Sequence, residues 1–290
     1  MLQMVRWFIC AGLATMLCTS CDVLDIKGMF VPTSDMVNTR FEESMQLTEG
    51  KSIAHIEAEE SYQIYVCADT HIDDTYNNLR EFTTRMRNNP EAPFGIMLGD
   101  CIDRRNVLPR YLEAIEHDAE SQPYNTPIFS VLGNHDLFFS GWENFVELIG
   151  PSVYWFEVEH SSGRDLYITL DSATGTLGKQ QMEWLEEFLT TERAKYRHCI
   201  VLKHTNLFYP DNSQNTSGNM TLEESAVIFE LFSKHNVTLC LQGHDHTRED
   251  LTFSGVRYTI VGTIREEAEQ PEYLVISVSD SGIEYEWNYL

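Results

Sequence analysis

From Tyr62 onward, short apolar runs recur along the chain: Tyr62 to Ala68, Phe94 to Leu98, Ile128 to Leu132, Leu166 to Leu170, Cys199 to Leu202 and Val237 to Leu241. Runs of this length without polar alternation predict strands buried on both faces. Between them lie stretches with helical period at Thr75 to Arg87, Leu108 to Asp118, Lys179 to Tyr196 and Leu222 to His235. The clearest places Met182, Leu185, Phe188 and Leu189 on one stripe, the mark of a helix packed on one side. Strand and helix taking turns predicts an α/β layer architecture in which helices cover a buried sheet. After His246 the rhythm changes. Asp250 to Thr252, Arg257 to Val261, Tyr273 to Val278 and Ile283 to Tyr289 read as successive strands joined by Gly and Ser turns, which predicts a second sheet packed on the first.

The first sixty residues carry a different pattern. Arg6 precedes an apolar run from Trp7 to Leu17, and Thr19 and Ser20 lead into Cys21. That is the layout of a secretory signal, and the run is shorter than the roughly 20 residues that span a bilayer. Leu17-Cys18-Thr19-Ser20-Cys21 resembles a bacterial lipobox, with Cys18 where the pattern usually has Leu. The expectation is a signal peptide at 1–20, lipidation of Cys21, and a mature protein anchored in the cell envelope outside the cytoplasm, in the periplasm or on the cell surface. Residues 21–61 are mixed and polar without sustained period, so they read as a tether ending in one early strand near Ser52 to Ile56. With no Pro- or Gly-rich boundary afterwards, residues 62–290 read as one catalytic domain. Cys67, Cys101, Cys199 and Cys240 sit in apolar runs or beside polar clusters and read as small buried hydrophobes, not as a disulfide framework.

A formal charge of -25 repels polyanions at long range and argues against gripping duplex nucleic acid. It does not exclude a phosphorylated substrate, because bound divalent ions would dominate their own pocket. The chemistry for such ions is visible where the apolar runs end. Asp69-Thr70-His71, Gly99-Asp100-Cys101-Ile102-Asp103, Gly133-Asn134-His135-Asp136, His204 and Gly243-His244-Asp245-His246 each follow a predicted strand. In open α/β sheets ligands bind beyond the carboxyl ends of strands, so these clusters can converge on one site. Carboxylate, imidazole and amide oxygen suit zinc, manganese or iron. Asp69, His71, Asp100, Asn134, His204, His244 and His246 exceed the needs of one open tetrahedral site, and one carboxylate can bridge two ions. Asp or Asn alone at a strand end would be ordinary turn chemistry, but turns have no need for imidazole.

The ordered set D-x-H, G-D-x-x-D, G-N-H-D, a lone His and G-H-x-H resembles the calcineurin-like metallophosphoesterase superfamily over roughly residues 62 to 250. The resemblance implies a four-layer α-β-β-α fold, two packed mixed β-sheets flanked by helices. It implies two divalent ions, with Asp69, His71 and His246 on one, Asn134, His204 and His244 on the other, and Asp100 between them. It makes His135 the general acid for the leaving alkoxide, steadied by Asp103, and a metal-activated hydroxide the nucleophile. Asn134 would also meet the substrate. Arg104 is a candidate phosphate clamp, although beside Arg105 it reads equally well as a solvated or helix-capping arginine.

Two positions depart from relatives: Asp103 stands where purple acid phosphatases carry a tyrosine, and Asn206 where many relatives have proline. Asp136 and Asp245 are expected to orient histidines. Tyr209, Asp211 and Asn212, in the loop after His204, receive no role. The function implied is cleavage of phosphate mono- or diesters in a small phosphorylated substrate. The alternative is an envelope lipoprotein that holds metals to capture a phosphorylated ligand without turnover. An intact His135 and Asp103 favour the enzyme, since a pure binder needs no leaving-group acid.

Overall fold

The apolar runs fold as strands because each is apolar on both faces and finds a layer on either side. The computed structural model describes residues 33–103, 107–116, 125–138, 141–208 and 219–290. The expected signal segment, Cys21, Arg104, Tyr209, Asp211 and Asn212 lie outside these residues.

In chain order the elements are α1 (Thr33–Thr48), β1 (His55–Glu57), β2 (Tyr62–Cys67), α2 (Asn77–Arg87), β3 (Phe94–Met97), α3 (Leu108–Glu116), β4 (Ile128–Ser130), α4 (Gly141–Leu148), β5 (Tyr154–His160), β6 (Gly163–Thr169), α5 (Gly178–Glu192), β7 (Cys199–Leu202), α6 (Leu222–Lys234), β8 (Leu239–Gln242), β9 (Glu249–Phe253), β10 (Val256–Ile260), β11 (Glu272–Ser279) and β12 (Gly282–Tyr289). They build two mixed sheets, ordered β1-β5-β6-β7-β8-β10-β9 and β12-β11-β2-β3-β4. Parallel pairing joins β2 to β3 to β4 in one sheet and β6 to β7 to β8 to β10 in the other.

The inner faces of the sheets meet in a core that includes Ile64, Val66 and Ile96 from one side and Phe156, Tyr167, Leu202 and Leu241 from the other. Phe129 of β4 stacks on Phe156 of β5 at 4.0 Å between ring centroids, tying the sheets together. On the outer face of one sheet, α5 and α6 pack Leu185, Leu189, Ile228 and Phe232 against Val201 and Cys240. On the outer face of the other, α2 and α3 pack Leu79, Phe82 and Tyr111 against Cys67, Met97 and Val275. This is the expected four-layer α-β-β-α arrangement. Cys67, Cys101, Cys199 and Cys240 are buried and unbridged. Among the described residues no helix is long and apolar enough to cross a membrane.

Three features differ from the sequence expectations. The C-terminal strands do not form a sheet of their own: β9 and β10 extend one sheet beside β8, while β11 inserts next to β2 in the other. Pairing partners are set by three-dimensional proximity, which strand periodicity does not encode. Residues 33–48, read as part of a tether, form a helix docked on α5. Its buried face mixes Val37 and Phe41 with Arg40 and Ser44, so no apolar stripe betrays it. Tyr154–His160 is a strand that alternates buried and more exposed residues, a pattern that a search for unbroken apolar runs does not detect.

Candidate metal centre

Each motif lies in the first residues beyond a strand: Asp69 and His71 after β2, Asp100 and Asp103 after β3, Asn134 and His135 after β4, His204 after β7, and His244 and His246 after β8. Strands from both sheets therefore deliver side chains to one edge of the sandwich. The chain turns sharply there. Asp69 (φ 53°), His71 (43°), Asp100 (52°), His244 (78°) and His246 (58°) all adopt the left-handed region, which costs a non-glycine residue of order 1–3 kcal/mol. Five such residues in one site show that the surrounding structure holds these side chains inward against their backbone preference. At Gly99 (φ 92°) a Cβ would stand 2.6 Å from His204 Nδ1, so only glycine lets the two loops approach this closely.

The ligand atoms converge. Asp69, His71 and His246 form one group and Asp100, His204 and His244 another, each with its ligand atoms within 4.8 Å of one another. His71 Nε2 and His246 Nε2 are 2.9 Å apart. In the second group His204 Nε2 lies 3.0 Å from Asn134 Oδ1, 3.2 Å from His244 Nδ1 and 3.3 Å from Asp100 Oδ2. Asp100 Oδ2 is also 3.7 Å from His71 Nε2, so this carboxylate stands between the groups. His204 Nδ1 donates to the Leu98 carbonyl at 2.7 Å, which turns the Nε2 lone pair of the neutral ring toward Asn134 and Asp100, both acceptors. His71 Nδ1 is likewise held by Asp103 Oδ1 at 2.7 Å, pointing Nε2 at His246. A convergence of acceptors with few donors among them is the arrangement a cation satisfies, and the oxygen and imidazole set suits a borderline divalent ion.

Charges respond to this crowding. In the metal-free protein, burial pushes the His204 imidazole down, but the Asp100 and Asp69 carboxylates overcome it and hold it up at about 9. Burial and the nearby His204 push His244 down to about 4. Burial raises Asp100, yet His204 and His71 outweigh it and bring it well below the usual carboxylate range. His135 is lowered, chiefly by burial. A protonated imidazole cannot ligate, so below about pH 9 metal must displace the His204 proton. Metal affinity is therefore expected to fall about tenfold per unit as pH drops from 8 to 6, measured by isothermal titration with Mn(II) in non-chelating buffers. A pH-independent affinity would refute this competition.

Several side chains have partners that the motifs did not announce. Asp103 holds His71 at 2.7 Å and faces His135 Nδ1 at 3.4 Å with the same oxygen, so its closer partner is His71. The bonds of Asp136 go to backbone amides. Its carboxylate accepts the backbone N–H groups of Gly133 (2.8 Å), Cys101 (2.9 Å) and Ile102 (3.3 Å), stapling the loop after β3 to the loop after β4. Asp245 accepts from Asn206 Nδ2 at 2.6 Å and so joins the His204 loop to the G-H-x-H turn. Two supports went unread in the sequence. Thr263 Oγ1 donates to the Asp69 carbonyl at 2.6 Å, and Ser172 Oγ accepts from His204 N and Thr205 N, both at 3.1 Å. A lone Thr or Ser after a strand carries no motif that could have announced either.

Two layered sheets presenting paired histidine and carboxylate groups with a shared aspartate define a metallophosphoesterase. The family model described as calcineurin-like phosphoesterase matches residues 62–248, and the chain belongs to that family. It is a metal-dependent phosphoric ester hydrolase, and the family depends on two metal ions. Solved structures share the fold. A dimetal phosphatase from Danio rerio aligns over 78% of this chain and 98% of its own with a TM-score of 0.59 and 16% identity. A purple acid phosphatase from yellow lupin aligns over 80% of this chain and 52% of its own, with a TM-score of 0.61 and 15% identity. The Plasmodium protein GAP50, titled the anchor in the inner membrane complex, aligns over 80% and 85% with a TM-score of 0.62 and 14% identity. No curated protein matches the chain in sequence at a significant level.

Proposed function

We propose that this protein hydrolyses small phosphate esters outside the cytoplasm, anchored to a membrane by lipid on Cys21, with His135 as the leaving-group acid. The observation that carries the catalytic part is the position of His135. Its backbone N–H donates to Asp100 Oδ1 at 2.8 Å, its ring packs edge-on against His71 at 4.5 Å, and its Nδ1 faces Asp103. Asp103 thereby favours Nδ1–H, so that when the ring takes up a second proton as imidazolium it is the Nε2–H that passes to the departing oxygen, leaving the neutral Nδ1–H ring. In this reading Asp69, His71 and His246 hold one ion and Asn134, His204 and His244 the other, with Asp100 shared. Bound ions supply charge neutralisation at the phosphoryl oxygens and acidify the attacking water. The protein's own groups orient the ligands, hold the proton and contribute the Asn134 amide to the substrate. Arg104, next to Asp103 in sequence, remains the candidate clamp. Export is supported by the Arg6, apolar run and Cys21 layout.

The test is hydrolysis of bis-p-nitrophenyl phosphate and p-nitrophenyl phosphate by the Mn- or Zn-loaded protein, with nucleotides, phospholipid head groups and phosphorylated glycans as further substrates. Tight binding of such compounds without turnover across the panel would establish the phospho-ligand-binding alternative. His135→Ala is expected to keep both ions and to lose about 10²–10⁴-fold in kcat. Loss of metal equal to the loss of rate would remove His135 from the proton-donor role.

A further inference from the structure

A charged residue of α1 is almost completely buried. Arg40 is 1% exposed and grips Asp171, itself 0% exposed, through Nε to Oδ2 at 2.6 Å and Nη2 to Oδ1 at 3.0 Å. A fork-on-carboxylate pair fixes orientation as well as distance, which an ammonium group could not do. Asp171 is held on every side. Ser152 Oγ donates to its Oδ2 at 2.9 Å, Ala173 N donates to its Oδ1 at 3.3 Å, and the Gln181 side chain brackets its backbone N–H and carbonyl at 2.8 and 2.9 Å. The helix is itself seated against the same region: Ser44 Oγ accepts from Ser152 N at 3.0 Å, and Asn38 Oδ1 accepts from Gln180 N at 3.3 Å near the start of α5.

The residue after Asp171 is Ser172, whose hydroxyl accepts the backbone N–H groups of His204 and Thr205 at 3.1 Å each. Thr205 Oγ1 returns a bond to the Ser172 carbonyl at 3.0 Å. Ser172, Thr205 and His204 are all fully buried. The contact path therefore runs from Arg40 to Asp171, along one peptide to Ser172, and on to His204, with no solvent-filled step. Arg40 lies outside residues 62–248, which the family model matches.

We propose that Arg40 is a positioning residue for the metal centre: through Asp171 and Ser172 it sets the backbone of His204, so the group containing Asn134, His204 and His244 depends on α1. The inference rests on the assignment of His204 as a ligand of one of two ions. It follows that the two halves of the centre differ in their dependence, because Asp69 and His71 are supported by Thr263 and Asp103 instead.

The test measures metal stoichiometry and stepwise affinity for Mn(II) and Zn(II) by isothermal titration and elemental analysis, on wild type, Arg40→Met, Ser172→Ala and Glu43→Gln. Glu43 also lies on α1, where its carboxylate accepts from Trp142 Nε1 at 2.7 Å, so it reports on generic loosening of the helix. The expected result is two ions in wild type and Glu43→Gln, and in Arg40→Met and Ser172→Ala one ion at wild-type affinity with the other weakened at least about tenfold. If Arg40→Met does not fold, Ser172→Ala decides, since it leaves the ion pair intact. Wild-type affinity for both ions in Ser172→Ala, or equal loss from Glu43→Gln, would overturn the inference. Wild type holding fewer than two ions would instead overturn the two-ion reading beneath it, and this inference with it.

Discussion

Asp100→Asn is expected to lose both metal ions and about 10³-fold or more of turnover. The carboxylate lies within reach of both histidine sets, 3.3 Å from His204 Nε2 and 3.7 Å from His71 Nε2, while its other oxygen accepts the His135 N–H. Asparagine keeps the shape and can still accept from His135. It removes the negative charge that both ions would share and puts an amide donor where a cation is required. Metal stabilisation of a developing phosphoryl charge is worth several kcal/mol, and 1.4 kcal/mol is tenfold in rate. Elemental analysis of the purified variant, paired with kcat on bis-p-nitrophenyl phosphate, checks it. Full metal content with wild-type turnover would remove Asp100 from the centre.

Asp136→Ala is expected to destabilise the fold by about 3–6 kcal/mol, and to weaken metal binding without touching a ligand. Three buried N–H groups, of Gly133, Cys101 and Ile102, lose their acceptor at once, and above about pH 7, where the carboxylate is ionised, each bond to it is worth about 1.5–3 kcal/mol with incomplete additivity. That is a large part of the 5–15 kcal/mol typical of a domain. Urea unfolding of the metal-free variant and wild type at one pH gives the difference. A change below about 1 kcal/mol would show that water satisfies these amides. The carboxyl also makes a signature in pH. Burial and the Asp100 charge raise it to about 7 in the metal-free protein. A folded pKa above the unfolded one contributes stability that is full in acid and lost as pH rises through about 7. Asp136→Asn cannot ionise, so that part of the slope is expected to vanish from its stability profile.

These two aspartates show what a linear reading can and cannot reach. Asp100 was legible because G-D-x-x-D sits at the end of an apolar run and belongs to an ordered set of motifs. Asp136 was visible within G-N-H-D, yet its duty was misread, because nothing in the chain states that the amides of Cys101 and Ile102 lie across from it. The same holds for Asp245, whose partner Asn206 is close only after β7 and β8 pair. Arg104 and Cys21 fall outside the described residues, so the roles proposed for them rest on the sequence alone.

The class of fold, the donor atoms and the chemistry they suit are legible along the chain. Buried strands must be apolar, helices must be amphipathic, and a metal-binding turn must carry imidazole and carboxylate; each is a local demand with a local signature. Packing in three dimensions decided which sheet receives β9 to β12, that residues 33–48 form a helix, and that five ligand residues sit in the left-handed region. It also decided that Asp103 serves His71 more closely than His135. Those features arise from contacts between residues far apart in the chain, such as Arg40 with Asp171, and their energy exists only once the layers have packed.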